Sequence, residues 1–230
     1  MYKTFRYALL LIILGVSSCR GLVESPFTDT HRARAEDVFD DTVLSTSLAQ
    51  ILAWHQMNRT EIPDALNPGI DRASILAAFS DLHCQPTEEL IQLWTWHNGT
   101  QYSPVPFIWY HDFLSVEDAI SEYKQLTLNP LIVWGKNWIP IFSFQGEWYF
   151  VECYEEARVA SPVGYLFLEN TEVYYTYLSL TRMLETAAAW FQQGAVFWDS
   201  GLWGLGEDIK EVFEIHQKLN EGAQFPYHVE

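Results

Sequence analysis

The sequence is poor in basic residues, with 13 Lys and Arg against 30 Asp and Glu and a formal net charge of −17. A surface with this excess of negative charge repels a phosphate backbone, so we expect no nucleic-acid binding. The same surface would attract a basic protein partner. Acidic surfaces also keep proteins soluble, so charge alone does not identify the partner.

The common enzyme motifs are missing as well. The sequence contains no HExxH and no G-x-S-x-G, and the glycine-containing stretch at 199–208 has no P-loop lysine. His97 closes an apolar helix face, and His111-Asp112 follows a predicted strand. His97 has no visible activating partner and favours a structural role. His111-Asp112 is the pair that most resembles a catalytic dyad, and it favours a structural role or a place in a binding rim. Asp81-Leu82-His83-Cys84 would need two distant ligands to bind zinc. We therefore expect a protein that is not an enzyme and carries no metal or cofactor.

Cysteine is scarce, with three residues in the chain. If Cys19 carries lipid, Cys84 and Cys153 remain. An oxidising compartment would allow these two to form a disulfide. Nothing in the sequence places them close together, and free cysteine behaves as a small buried hydrophobe. The sequence therefore favours two separate buried thiols and leaves the disulfide open.

Long apolar runs are also scarce, and the most conspicuous one is N-terminal. It extends from Tyr7 to Val16 after the basic residues Lys3 and Arg6. This run is too short to cross a bilayer as an ordinary helix, but it suits the core of a signal peptide. The stretch from Val16 to Cys19 (VSSC) resembles the lipobox of bacterial lipoproteins, which are cleaved just before the cysteine. The resemblance implies that Cys19 is acylated and anchors the protein to a membrane.

These signals predict three segments. Residues 1–18 are a lipoprotein signal peptide, and residues 19–35 are the lipidated N-terminus and a tether without periodicity. Residues 36–230 form a single folded domain. The basic start stays inside, so the domain faces away from the cytoplasm in the cell envelope. Arg20, where inner-membrane lipoproteins of Gram-negative cells commonly have Asp, favours the outer membrane.

The folded part changes its periodicity near residue 100. Helical spacing predicts a helix from Glu36 to about Met57, one that Asp71 caps, and one that begins near Pro86 and stops at Asn98-Gly99. Short β-branched and aromatic segments then predict strands. These segments are 105–110, 131–134, 138–144, 147–153, 163–168 and 172–178.

Three further helices are predicted in the second half. One begins at a capping box of Ser115 and Asp118, one spans Ser179 to Gly194, and one covers about Glu207 to Asn220. Strands in the middle and helices at both ends predict an α+β fold. We expect a mainly antiparallel sheet of about six strands with helices packed on one face.

Several segments in this order resemble the SUKH superfamily, which includes the yeast cell-wall assembly regulator and many bacterial toxin-immunity proteins. They are PTEELIQLWTWHNGT, FIWYHDFLSVEDAISEY, WIPIFSFQGEWYFVEC, SPVGYLFLE and SLTRMLETAAAWFQQGAV, within about residues 70–198. The resemblance implies an α+β fold without catalytic residues and a protein that acts by binding. Bacterial members commonly neutralise partner toxins, many of them nucleases that act in the cytoplasm. An anchored protein outside the cytoplasm departs from that pattern, so the resemblance supports binding better than immunity.

A mixed aromatic and acidic patch is our candidate for partner binding, because interfaces favour aromatic anchors. Its residues are Trp96, Asp112, Glu152, Tyr154, Glu155 and Glu156. The alternative function is a cell-envelope scaffold, or a glycan-binding or hydrolytic lipoprotein that stacks sugars on surface aromatics such as Trp96 or Trp203.

Overall fold

The computed structural model describes residues 25–59, 61–101, 106–169, 172–199 and 204–227. The apolar run from Tyr7 to Val16, the expected lipidation site Cys19 and Trp203 lie outside these residues. Within the described part of the chain, none of the helices has the length and apolar character needed to cross a bilayer.

A six-stranded antiparallel sheet forms the centre of the domain, as the sequence predicts. The strands follow one another in chain order across the sheet, each paired with the next. Gln145 and Gly146 join the two central strands in a hairpin in which both residues have positive φ, 44° and 95°, as a type I′ turn requires. The strands are β3 (Pro106–Ile108), β4 (His111–Phe113), β5 (Trp138–Phe144), β6 (Glu147–Glu152), β7 (Val163–Phe167) and β8 (Val173–Tyr177).

Helices from both ends of the chain cover one face of this sheet, and the first helix packs on the other face. The α+β prediction is confirmed. Alternate residues of β6, such as Tyr149 and Val151, share a core with Trp94 and Trp190 of the helices. The helices are α1 (Asp29–Asp37), α2 (Asp41–Asn58), α3 (Glu61–Ala65), α4 (Arg72–Ala78), α5 (Glu88–Trp96), α6 (Val116–Leu128), α7 (Leu180–Gln193) and α8 (Ile209–Leu219). Two small ribbons pair β1 (Leu66–Pro68) with β2 (His97–Thr100) and β9 (Val196–Asp199) with β10 (Gly204–Glu207).

The predicted helix caps lie where the sequence places them. The side chain of Asp71 accepts a hydrogen bond from Ser74 N at 2.8 Å, and that of Ser115 accepts one from Asp118 N at 3.0 Å. Ser179 caps α7, which ends at Gly194 with φ 77°. Local capping chemistry therefore fixes the starts of three helices.

A second cluster covers the opposite face of the sheet and includes the N-terminal segment. We call it the aromatic cluster, and its rings are Phe27, Trp134, Trp138, Trp148, Phe150 and Tyr175. Phe27 is 3% exposed, and its ring lies 6.0 Å from that of Phe150. The tether expected up to residue 35 therefore belongs to the folded body from Ser25 onward, and α1 packs on this face.

Three local predictions are wrong. The segment 131–134 is irregular and not a strand, because Asn129 accepts from Leu131 N at 3.0 Å in a turn and Trp134 Nε1 donates to Trp138 O at 2.9 Å. The helix predicted from Glu36 is two helices, because Asp40 caps a new one through Thr42 N. The pair His111-Asp112 lies within a short strand instead of after one.

Candidate functional site

Cys84 and Cys153 form a disulfide with their Cα atoms 5.4 Å apart. The expectation of two separate thiols is therefore wrong. Cys84 follows the turn after α4 and Cys153 follows β6, and an antiparallel bridge brings the two segments together. In this bridge Gln85 N donates to Tyr154 O at 2.7 Å, and Tyr154 N donates to Gln85 O at 3.3 Å. The two cysteines are 69 positions apart in sequence, so no local pattern reveals the pairing.

The loop that follows the disulfide is held on the first turn of α5. Glu88 N donates to Arg158 O and Glu89 N donates to Val159 O, both at 3.1 Å. These two amides belong to the groups that a helix N-terminus leaves without an intrahelical partner. The loop 153–160 is thus fixed at its start by a covalent bond and at its end by backbone hydrogen bonds.

Tyr154 and Arg158 brace the inside of this loop. The guanidinium of Arg158 lies 4.7 Å from the centre of the Tyr154 ring and pairs with Glu36 at 3.3 Å. The hydroxyl of Tyr154 donates to Glu152 at 3.2 Å, and burial raises the pKa of that hydroxyl. Because its ring and hydroxyl are engaged, Tyr154 holds the loop in place and leaves Glu155 and Glu156 exposed at its tip.

An open groove of about 470 Å³ lies beside the loop, and we call it the disulfide groove. Exposed Leu76 and the buried Phe79 and Pro86 give it an apolar lining, and Glu155 places a carboxylate on its rim. Its lining residues are Leu76, Phe79, Ser80, Leu82, His83, Cys84, Gln85, Pro86 and Glu155. Such a surface can take an apolar side chain while its rim attracts a positive charge.

Glu152 does not belong to an exposed patch. The prediction that it binds a partner is therefore wrong. The Glu152 side chain is fully buried and accepts hydrogen bonds from the Ser25 hydroxyl and from Arg32 Nε, the latter at 2.9 Å. Ser161 Oγ accepts from the backbone amide of Glu152 at 3.0 Å. Glu152 therefore fixes the N-terminal segment to the sheet.

Trp96 and Asp112 line two other pockets, so the six predicted residues do not form one patch. Trp96 is half-buried in a groove of about 500 Å³ between α2 and α5. Asp112 is 7% exposed and lines a polar pocket of about 450 Å³ with Asp118 and Glu122. Of the predicted set, Tyr154, Glu155 and Glu156 are consecutive in the loop beside the disulfide groove, and Glu155 lines the groove.

Three histidines of the described residues have backbone carbonyl oxygens as hydrogen-bond partners. His97 Nδ1 lies 2.7 Å from Asn67 O, His55 Nε2 lies 2.8 Å from Phe107 O, and His216 Nε2 lies 2.7 Å from Thr176 O. His111 is buried, and its Nε2 lies 3.5 Å from Glu147 Oε2. Burial lowers the pKa of the His111 ring. Among the residues that the structure describes, no group of three His, Cys, Asp or Glu side chains is arranged to hold a metal ion.

A buried carboxylate at Glu89 is a feature that the sequence analysis missed. Glu89 accepts from the Thr181 amide at 2.7 Å, from the Thr181 hydroxyl at 2.6 Å and from Leu180 N at 3.3 Å, and so caps α7 from another helix. Burial raises its pKa to about 7. From the sequence, Glu89 reads only as an acidic residue that favours the start of its own helix, because the contact with α7 spans about 90 positions.

No protein-family model matches this chain, and no curated protein matches it significantly either.

Proposed function

We propose that this protein is a non-catalytic binding protein of the cell envelope, anchored by lipid on Cys19, that neutralises a basic toxin by direct contact. The observation that carries the binding role is the disulfide groove. It combines an apolar lining with two exposed carboxylates on a loop that is fixed at both ends. The resemblance to SUKH immunity proteins adds the toxin as the kind of partner.

The rigidity of the loop supports a role in recognition. Ordering a loop on binding costs free energy, and a loop that is already fixed avoids that cost. The disulfide, the amides of α5 and the Tyr154–Arg158 contact all restrain the segment that carries Glu155 and Glu156. These carboxylates are therefore presented to a partner in a defined position.

The charges around the groove support a basic partner. Asp81, Glu155 and Glu156 are exposed on the two segments that the disulfide joins, and Arg158 already pairs with Glu36. A Lys or Arg side chain would face carboxylates here, and a neighbouring apolar side chain would fill the groove. Complementary charge increases the rate of association and excludes acidic partners.

A second function, as a glycan-binding or scaffold protein of the envelope, is favoured by one observation. Trp96 lies half-buried in the groove between α2 and α5, next to the ion pair of Arg72 and Glu88. An aromatic ring beside polar side chains suits the stacking and hydrogen bonding of a sugar ring. Binding of envelope polysaccharide that is lost in Trp96→Ala would support this second function.

A secreted basic protein encoded next to this gene is the first partner to test for the toxin-neutralising role. Cells that express the full chain should survive exposure to that protein, and cells with Glu155→Lys/Glu156→Lys should not. Survival of both strains, or of neither, would contradict neutralisation through this groove. Incorporation of labelled palmitate that is lost in Cys19→Ala tests the anchor, and equal label in both proteins would remove it.

A further inference from the structure

The last residue of α6 and the segment that follows it expose apolar side chains at one corner of the domain. Leu128 is 77% exposed, Leu131 is 74% exposed and Val133 is 38% exposed. Three of the nine large exposed hydrophobic residues of the described chain thus fall within six positions. We call residues 128–133 the apolar loop. Single exposed apolar residues are common, but a concentration of this kind marks a contact surface.

The apolar loop is held firmly at its base. The buried residues Leu126 and Trp134 flank it, and both belong to the aromatic cluster. Trp134 Nε1 donates to Trp138 O at 2.9 Å, and the ring of Trp134 lies 5.3 Å from that of Phe150. Ile132 within the loop also packs against this cluster, whereas Leu128, Leu131 and Val133 remain exposed. The ends of the loop are buried while its tip points to solvent.

The N-terminal segment enters the fold at the same corner. Phe27 contacts Phe150, the ring that Trp134 also contacts. The hydroxyl of Ser25 donates to Glu152, and Glu152 pairs with Trp138 across β5 and β6. Ser25 follows Cys19 by six positions, so an extended chain places the two no more than about 20 Å apart. A lipid on Cys19 would hold this corner close to the bilayer.

The charge around the apolar loop also suits a membrane surface. Lys124 and Lys136 are exposed on its two arms, and within the described chain neither forms an ion pair with a carboxylate. Tyr123 donates to Lys136 O and so links the two arms. Two unpaired cations around an apolar tip are unusual on a chain with a net charge of −17. Lysines flanking inserted apolar residues are typical of segments that bind an anionic lipid surface.

We infer that the apolar loop inserts Leu128, Leu131 and Val133 into the bilayer that carries the lipid anchor. The loop and the anchor then form two attachments at one corner of the domain. This inference rests on the anchored state proposed above. It adds an orientation: the corner with Trp134 faces the membrane, while the Gln145–Gly146 hairpin at the far end of β5 and β6 points away.

The inference is tested with the full chain, purified from membranes and reconstituted into vesicles of phosphatidylethanolamine and phosphatidylglycerol with brominated acyl chains. Cys84 and Cys153 are paired, so a thiol-reactive fluorophore reports on an added cysteine. Leu131→Cys places the fluorophore on the apolar loop. Met57→Cys is the control, since Met57 is 77% exposed and lies near the end of α2.

We expect a blue-shifted emission and strong quenching by the brominated lipid at position 131, and neither effect at position 57. The fluorophore is also placed at Val133→Cys, once in the otherwise unchanged protein and once together with Leu128→Ser/Leu131→Ser. The quenching at position 133 should be lost in the protein with the two serines. Equal quenching at positions 131 and 57 in vesicle-bound protein overturns the docking while leaving the anchor intact. Protein that does not associate with vesicles overturns the anchor as well. A label at 131 that is shielded from a water-soluble quencher without vesicles would show that another part of the chain covers the loop, and would also overturn the inference.

Discussion

Arg32 of α1 and Glu152 of β6 form an ion pair with a distance of 2.9 Å between Arg32 Nε and Glu152 Oε2. The carboxylate is fully buried, whereas the Arg32 side chain is 22% exposed. Hydrogen bonding to Glu152 raises the pKa of Arg32 above its usual value. The pair joins the N-terminal segment to the sheet.

The loss of Arg32 should destabilise the protein strongly. Arg32→Ala leaves the buried Glu152 without its cation, so the free energy of unfolding should fall by about 3 kcal/mol. Urea unfolding followed by tryptophan fluorescence measures this change. Asp29→Asn is the matched control, because Asp29 pairs with the same arginine in solvent and should contribute nothing measurable. Equal changes in the free energy of unfolding for the two substitutions would show that the buried ion pair stabilises the protein no more than the exposed one.

The disulfide should contribute to stability and to the shape of the loop 153–160. It closes a segment with a sequence separation of 69, and such a cross-link contributes about 4 kcal/mol, mainly by restricting the unfolded chain. A reducing agent should therefore lower the urea midpoint of the wild type. It should leave the midpoint of Cys84→Ser/Cys153→Ser unchanged. A wild type that is insensitive to complete reduction would contradict this expectation.

Glu89 should make the protein less stable as the pH rises. Its pKa is about 7 in the folded state against 4.5 for an ordinary glutamate. Below pH 4.5 both states are protonated and its contribution is fully present. Between pH 4.5 and pH 7, Glu89 is ionised in the unfolded state but still largely protonated in the folded state. The free energy of unfolding therefore falls by about 3 kcal/mol over this range. This loss is measured as the free energy of unfolding of the wild type and of Glu89→Gln, at steps of about one pH unit from about pH 5 to pH 8. Parallel profiles would rule out the titration.

His216 should act in the opposite direction. Burial lowers its pKa to about 4 from 6.5, and its Nδ1 is buried without a hydrogen-bond partner among the described residues. The contribution of the neutral ring is present above pH 6.5 and is lost as the pH falls toward 4. His216→Gln, whose amide can still donate to Thr176 O, should lose less stability on acidification. NMR titration of the ring should show a proton binding near pH 4, and binding near pH 6.5 would contradict this account.

The sequence predicts the local part of this fold well, because the signals for caps and turns lie within four or five residues of each other. Ser115 and Ser179 start their helices, and Gln145-Gly146 forms the hairpin. The prediction for segment 131–134 is wrong because its β-branched and aromatic composition is typical of a strand, while no strand in the described part of the chain pairs with it.

The site was harder to predict, because it depends on contacts between distant parts of the chain. The disulfide joins positions 69 apart, and Glu152 meets an arginine 120 positions away. One signal for the burial of Glu152 was present in the sequence. β6 reads EWYFVE, and its central residues are large and apolar on both faces, as is typical of a strand covered on both sides. The glutamate that ends such a strand is therefore expected to be buried with a partner.

A titration shows whether the exposed carboxylates at the disulfide groove bind a basic partner. Calorimetry with a basic protein partner, captured from membrane extracts with the folded domain as bait, gives the affinity of wild type and of Glu155→Lys/Glu156→Lys. A control with the same change in net charge is Glu169→Lys/Glu221→Lys, whose exposed carboxylates lie away from the groove. We expect the affinity to fall by at least about tenfold in the first variant and by much less in the control. Equal affinities of all three proteins at low salt would contradict binding through these carboxylates.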